Sequence, residues 1–429
     1  MLIRRPDYEQ KVMRYFETPL IKVLTGVRRC GKSSILKLVA QEAIRRGADE
    51  RNVVMLRLDE LGMPFNVTSE WLAETIDARL QLAGTERMAY VFLDEIQDVP
   101  EWERVVRQLQ TRRNTDIYLT GSNAYMLSSE LSTMLSGRYV EIAVNPLSFG
   151  EYLNFKHQHG MGIGSTSESF AEYLRFGGMP GQFDFAGRDR ETMLAFLEGI
   201  IDSVLLNDVA KRAQVSDIDL LEKLVSYLFG TSGNLFSTKK IADTLTSAGR
   251  KTAPRTIDNY IDALEHALIM REAPQFRLKG KSALNPKRKF YPADTGLRNF
   301  AAGFPTDDIG FQLENVVFNE LFKRGYTVSV GTLSGNTEID FVARKVTGER
   351  LYVQVTQSLL DDSVYERELA PLRMAADSFP KIVLTLDGFR TGITREGIRI
   401  QGLIDWLLET IAEDAEAVAE LHFEQYSAR

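Results

Sequence analysis

Gly26-Val27-Arg28-Arg29-Cys30-Gly31-Lys32-Ser33 reads G-x-x-x-x-G-K-S, and no other stretch of the 429 residues limits the fold so tightly. The apolar run Ile21 to Leu24 before it has the character of a strand. Ser34 to Ile44 behind it carries helical periodicity. Strand, glycine-bearing turn and helix in that order make a cradle of backbone N–H groups at a helix N-terminus, which suits phosphate. The loop from Gly26 to Ser34 is therefore expected to wrap the phosphates of ATP. Lys32 is expected at the terminal phosphates and the Ser33 hydroxyl on Mg²⁺. A chance turn holding Gly and Lys is the alternative, and the strand–loop–helix context argues against it. Cys30, inside the loop, is either a reactive thiol whose alkylation blocks nucleotide or a small residue filling space beneath the loop. Both readings stay open.

A chain of this length should hold two to four domains. No apolar run approaches the roughly 18 residues of a membrane span, and the N-terminal residues lack a secretory apolar region. One cysteine excludes an internal disulfide framework, so a cytoplasmic location is expected. The net charge of −7 does not advertise nucleic-acid binding, but charge is unevenly spread. Arg271 to Lys289 carries seven Lys/Arg and one acid, whereas Leu403 to the end carries seven acids and one Arg. A local basic patch can bind phosphates on an acidic protein.

Four more strand candidates follow the loop: Val53 to Leu58, Tyr90 to Leu93, Asp116 to Leu119 and Tyr139 to Val144. Helical patterns at Glu70 to Ala83 and Trp102 to Gln110 separate them, so a parallel sheet covered on both faces is expected. Tyr90-Val-Phe-Leu-Asp94-Glu95 is an apolar strand ending in two acids, at the sheet edge where the phosphate loop also emerges. Asp94 is placed to hold Mg²⁺ and Glu95 to orient or deprotonate an attacking water. The next strand ends Leu119-Thr120-Gly121-Ser122-Asn123. Asn123 or Ser122 is expected to sense the terminal phosphate, unless the pair is a polar helix cap.

These motifs resemble the AAA-type ATPases, specifically a prokaryotic group whose C-terminal domain has no assigned function. Leu135-Ser136-Gly137-Arg138, Pro146-Leu-Ser-Phe-Gly-Glu151 and Gly177-Gly-Met-Pro180 extend the likeness over nearly the whole chain. The resemblance implies an α/β core at 1–145, a helical lid at 146–215, a winged helix at 216–300 and a restriction-endonuclease-like domain at 301–429. It also implies that Arg138 reaches a neighbouring subunit's ATP as an arginine finger, its other readings being a surface ion pair or a contact to the same subunit's lid. Lid arginines Arg175, Arg188, Arg190 and Arg212 are further nucleotide candidates. The Gly/Ser stretch around His157 and His159 reads as a loop with solvated histidines.

Leu220 to Leu228, a Ser237-capped helix and a longer helix from Pro254 precede two extended pieces, an order that resembles a winged helix-turn-helix. Arg255, Asn259, Lys279, Lys281, Lys287 and Arg288 are the candidate contacts to double-stranded DNA; protein packing is the other use of such a fold. Beyond it, the helix around Glu314 and the strands through Asp340 and Gln354-x-Thr356 resemble a restriction-endonuclease core. Such a core holds Mg²⁺ with a helix Glu, a strand Asp and a Glu-x-Lys. Glu314 and Asp340 keep the first two places. Gln354 and Thr356 replace the acid and the lysine, so a degenerate nuclease site is expected. The acidic tail is expected to pack as an amphipathic helix.

The expected function is an ATPase that couples Mg-ATP hydrolysis to conformational change, as a homo-oligomer on DNA and not at a membrane. The rivals are a nucleotide-controlled switch that binds protein partners in defence or toxin control, and an ATP-gated nuclease.

Overall fold

The computed structural model describes residues 2–59, 66–81, 88–112, 114–124, 137–162, 164–211, 215, 217–278, 288–306, 308–333 and 337–409. Lys279, Lys281, Lys287, Arg212, Leu135, Ser136 and most of the acidic tail lie outside the described residues. The chain forms two compact units. One comprises Met1–Pro146, Ser203–Gln214 and Ala263–Leu268; the other comprises Leu147–Asp202, Val215–Asp262 and Ile269–Arg429.

The first unit holds β1 (Ile21–Thr25), β2 (Val53–Arg57), β3 (Ala89–Asp94), β4 (Thr115–Gly121) and β5 (Tyr139–Ala143), close to the five runs expected from sequence. All pair in parallel, in the order β2-β3-β4-β1-β5. Its helices are α1 (Pro6–Met13), α2 (Lys32–Arg45), α3 (Ser69–Gln81) and α4 (Trp102–Thr111). Trp102, Val105, Val106 and Leu109 of α4 recur at the spacing of one helix face and are buried. They pack with Leu72 and Ile76 of α3 on Val54, Leu56, Val91, Leu93, Ile117 and Leu119 of the sheet. Each such side chain contributes about 1.5–3 kcal/mol when fully buried. That packed sheet sets side by side the carboxyl ends of β1, β4 and β3, with Leu24 beside Thr120 and Leu93 beside Leu119. The unit also takes in a π-helical turn, Val204–Ala210.

The second unit begins with α5 (Phe149–Gln158) and α6 (Thr166–Phe176), followed by α7 (Arg190–Ser203). Capping boxes at Ser148/Glu151 and Ser165/Glu168 start the first two. The expected loop around the histidines is shorter than the sequence implied. His157 is exposed within α5, and His159 caps that helix with its ring stacked on Phe183 at 5.5 Å.

Gly177 and Gly178 have a packing reason. A Cβ on Gly177 would lie 2.0 Å from Asp294 Oδ1, and one on Gly178 would lie 2.2 Å from the Leu147 carbonyl oxygen. Asp294 accepts from Gly178 N at 2.6 Å and from Leu297 N at 3.0 Å, capping α11 (Thr295–Ala301). Burial pushes its carboxyl up to about 6, against the pull of these backbone donors. The folded state therefore holds the proton more tightly than the unfolded chain. The stability this contributes is complete below the ordinary Asp range and is lost as pH rises through about 6. Urea unfolding should show a loss approaching about 3 kcal/mol from this group between pH 4 and 7, absent in Asp294→Asn.

Next come α8 (Ile218–Gly230), α9 (Thr238–Ser247) and α10 (Pro254–His266, which belongs to this unit through Asp262), then the hairpin of β6 (Met270–Arg277) and β7 (Arg288–Pro292). Ser237 takes the extended backbone of a cap, but its side chain makes no capping hydrogen bond. The C-terminal part contains α12 (Ile309–Lys323), β8 (Thr327–Thr332), β9 (Glu338–Arg344), β10 (Arg350–Thr356), α13 (Asp362–Met374), β11 (Lys381–Thr385), β12 (Gly392–Ile393) and β13 (Arg399–Gly402). Met270 to Pro274 of β6 pair with β7, and Gln275 to Arg277 pair in parallel with β8. The hairpin thereby joins the later strands in one sheet, β12-β13-β11-β10-β9-β8-β6-β7. Both α12 and α13 pack on β10. Among the described residues no helix is long and apolar enough to cross a membrane.

Candidate nucleotide site

The loop after β1 is shaped by close approach. A Cβ on Gly26 would lie 2.2 Å from the Val144 carbonyl oxygen and 2.7 Å from Cys30 Sγ, so only glycine fits. Arg29 and Gly31 take left-handed backbone, with φ of 66° and 104°, before α2 begins at Lys32. Val27 and Cys30 turn their side chains into the core, and Cys30 Sγ donates to Val144 O at 3.3 Å. The space-filling reading of Cys30 holds, because a fully buried thiol is not offered to an alkylating reagent. Arg5 braces the loop from outside it, donating to the carbonyls of Cys30 and Asn145 at 3.0 Å each. Nothing in the sequence pattern singled out Arg5.

Lys32 is 3% exposed. Its ammonium donates to Gly26 O at 3.0 Å and Val27 O at 3.4 Å, and lies 3.5 Å from Glu95 Oε1. Asp94 closes the other side. Its Oδ1 accepts from Ser33 Oγ at 3.0 Å and from the Thr120 hydroxyl, and Arg57 Nε lies 3.6 Å from its Oδ2. Burial raises the Asp94 carboxyl, and the Thr120 and Ser33 hydrogen bonds work against that rise. Glu95 has left-handed backbone (φ 54°), its N–H donating to Thr120 Oγ1 at 2.9 Å. Gln97 Nε2 donates to Glu95 Oε2 at 2.6 Å. Burial alone would lift the Glu95 carboxyl. Lys32, Gln97 and Arg28 together outweigh it and hold Glu95 below the usual carboxylate range. Ser33 and Asp94 are hard oxygen donors at hydrogen-bond distance from each other, which fits a Mg²⁺ site.

The polar residue that touches both acids is Thr120. Ser122 and Asn123, expected between the acids and the phosphate, are fully buried and turn to Asp208 instead. Ser122 Oγ lies 3.3 Å from Asp208 Oδ1, and Asn123 Nδ2 donates to Asp208 O at 3.4 Å. The strand register explains this: Leu119 is level with Leu93, so the next residue, Thr120, stands beside Asp94. Arg28 of the loop also goes to Asp208, in a two-pronged pair at 2.9 and 3.0 Å. Arg138 is exposed and makes no ion pair among the described residues. Arg188 is held by Glu172 at 2.9 Å and over the Phe183 ring, and Arg175 lies over Phe176. Arg190 is exposed.

In the second unit Arg255 and Asn259 are exposed one helical turn apart on α10. Arg288 does not meet the expectation of a free phosphate contact. It pairs with Asp258 at 2.9 Å and Glu272 at 3.5 Å, and two carboxylates on one guanidinium leave it committed within the unit.

Around the expected nuclease frame, Tyr291 OH donates to Glu314 Oε2 at 2.9 Å, and Asp340 Oδ2 accepts from Val355 N at 2.8 Å. Gln354 bridges Asp340 N at 3.3 Å and Glu368 at 3.0 Å, and Thr356 donates to Ser358 O. Thr356 stands at the place of the lysine, but β7 brings one from elsewhere in the chain. Lys289 is 3.3 Å from Glu338. Burial opposes its charge, yet Glu314, Asp340 and Glu338 outweigh burial and raise its pKa. Burial raises both Glu314 and Asp340. Among the described residues no three His, Cys, Asp or Glu side chains gather as a metal-binding group.

A parallel sheet with a phosphate loop leaving β1 and an acidic pair ending β3 defines a P-loop nucleotide-binding core of the AAA type, and residues 18–153 match the AAA domain family. Residues 167–308 match a domain of unknown function, DUF8612. The chain belongs to the family of an uncharacterized protein of Haemophilus influenzae, 36% identical over 409 residues, or 95% of this chain and 99% of that one. The uncharacterized protein MJ1544 of Methanocaldococcus jannaschii is 29% identical over 392 residues, 86% of this chain and 83% of its own length. Among solved structures, the Walker-type ATPase PABY2304 of Pyrococcus abyssi shares the fold with a TM-score of 0.50 at 16% identity, over 70% of this chain and 96% of that one.

Proposed function

We propose that this protein binds and hydrolyses Mg-ATP to drive a change in the arrangement of its parts, as a DNA-associated oligomer. The observation that carries the reading is the contact of Lys32 with Glu95 beside Ser33, Asp94 and Thr120. Lys32 and the loop amides hold the phosphates. Ser33 and Asp94 would hold Mg²⁺, which would supply positive charge against the phosphates. Glu95, kept ionised at neutral pH, accepts a proton from water or aligns it. Its N–H bond to Thr120 and its carboxylate bond to Gln97 fix where that carboxylate points. Ser122 or Asn123 turns from its present partner to sense a bound terminal phosphate, and exposed Arg138 supplies charge to a neighbouring subunit's nucleotide.

For DNA, the support is a basic surface. Lys239, Lys240, Lys251 and Arg255 are exposed with Asn259 on and beside α9 and α10, whose order suits a winged helix with α10 toward the groove. The frame around Glu314 and Asp340 is a degenerate nuclease in this reading, its acids sharing the one ammonium of Lys289 with Glu338.

The test is ATP turnover with and without double-stranded DNA, with particle mass measured alongside. DNA should raise turnover, and Arg255→Ala should weaken DNA binding about uniformly across sequences, reducing the salt slope by about 1. Nucleotide-dependent assembly without DNA affinity would favour the protein-binding switch. Metal-dependent strand cutting lost in Asp340→Ala would favour the nuclease.

A further inference from the structure

Asp208 has no role in the proposal above, yet three pieces of the nucleotide centre meet on it. It is 2% exposed and sits in the π-helical turn Val204–Ala210. Such turns are rare and recur at functional positions. Its carboxylate accepts both prongs of Arg28, at 2.9 and 3.0 Å, and the Ser122 hydroxyl at 3.3 Å. Its backbone carbonyl accepts from Asn123 at 3.4 Å. Arg28 comes from the phosphate loop, and Ser122 and Asn123 follow the end of β4. Glu95 and Asp98 also attract Arg28, but Asp208 is its closest acid partner.

The planar fork that Arg28 presents to a carboxylate is the same one a guanidinium presents to phosphate. A terminal phosphate carries more charge than a carboxylate and three acceptor oxygens, and it repels Asp208. We infer that Asp208 is a positioning residue that sets the balance between nucleoside triphosphate and diphosphate, holding Arg28 and Ser122 until a terminal phosphate takes them over. The inference rests on the nucleotide reading proposed above. A diphosphate lacks the competing group, so releasing Asp208 weighs on triphosphate binding alone. Only the triphosphate then frees the turn at Val204–Ala210, which makes that segment a reporter of nucleotide state.

The experiment is equilibrium binding of ADP and of a non-hydrolysable ATP analogue to the full chain. Asp208→Asn should tighten the analogue about 10-fold and leave ADP within about two-fold. Arg28→Gln, altering a partly exposed side chain, should shift the same ratio the other way, because the phosphate loses its donor. Opposite signs in the two variants are the signature, since a purely structural ion pair would weaken both nucleotides in both proteins. An unchanged ratio, or shifts of the same sign, overturns the role of Asp208. Should Asp208→Asn not fold, a ratio left unmoved by Arg28→Gln overturns it. Failure of the unaltered protein to bind either nucleotide overturns the nucleotide reading itself, and the role of Asp208 with it.

Discussion

Glu95→Gln is expected to lower ATP turnover by about 10²–10⁴-fold while leaving ATP bound, since a positioned general base contributes that much. The substitution keeps the side chain's shape and removes only its charge. Backbone placement should survive, because the Glu95 N–H bond to Thr120 Oγ1 does not depend on the side chain. Lys32→Ala should act earlier and abolish binding, because the ammonium now shared by Gly26 O, Val27 O and Glu95 is the group offered to phosphate. Phosphate release and binding of a fluorescent nucleotide separate the two outcomes. Equal turnover in Glu95→Gln and the unaltered protein would remove Glu95 as the base.

Asp116→Ala should be the most damaging change to the stability of the first unit, at about 3–5 kcal/mol. Lys22 and Asp116 form an ion pair with side-chain exposures of 0% and 1%. Burial lowers the Lys22 pKa, and Asp116 counters that. Asp116 also accepts from Glu17 N at 2.8 Å and Tyr118 OH at 2.7 Å, so its loss takes an acceptor from three donors together and leaves the Lys22 charge with the Thr18 carbonyl at 3.0 Å. Denaturant midpoints measure the effect. Lys22→Met with Asp116→Leu should recover part of the loss, because removing both partners leaves no unpaired buried charge, whereas Glu17 N and Tyr118 OH still lack their acceptor.

What could be read beforehand follows from how local each feature is. The phosphate loop and Asp94-Glu95 were legible because their chemistry needs fixed residue types on continuous backbone next to a recognisable strand. The five parallel strands were legible because strands buried on both faces leave unbroken apolar runs. The contact of Thr120 with Asp94 was not legible, since only the register of β3 against β4 decides which residue meets Asp94. Asp208 lies 180 residues beyond Arg28, and no local pattern announces such a pair. Lys289 escaped for a similar reason. It was counted with a basic wing, whereas the fold turns it toward Glu338, Glu314 and Asp340. Arg288, its neighbour, was assigned to phosphate on charge alone, and the acids that bind it come from α10 and β6.

A π turn is an α-helix carrying one residue too many. Removing any single residue from Val204–Ala210 would let that stretch relax to ordinary α-helical winding. The helix on either side would keep its phase, because the wide turn is what absorbs the extra residue, so only residues within the turn would change the direction they face. The five-stranded sheet and the phosphate loop would be untouched, but a residue aimed at Arg28 would face elsewhere. Reading frame within this short helix, more than residue identity, is thus where evolution could connect or disconnect the nucleotide centre in one step.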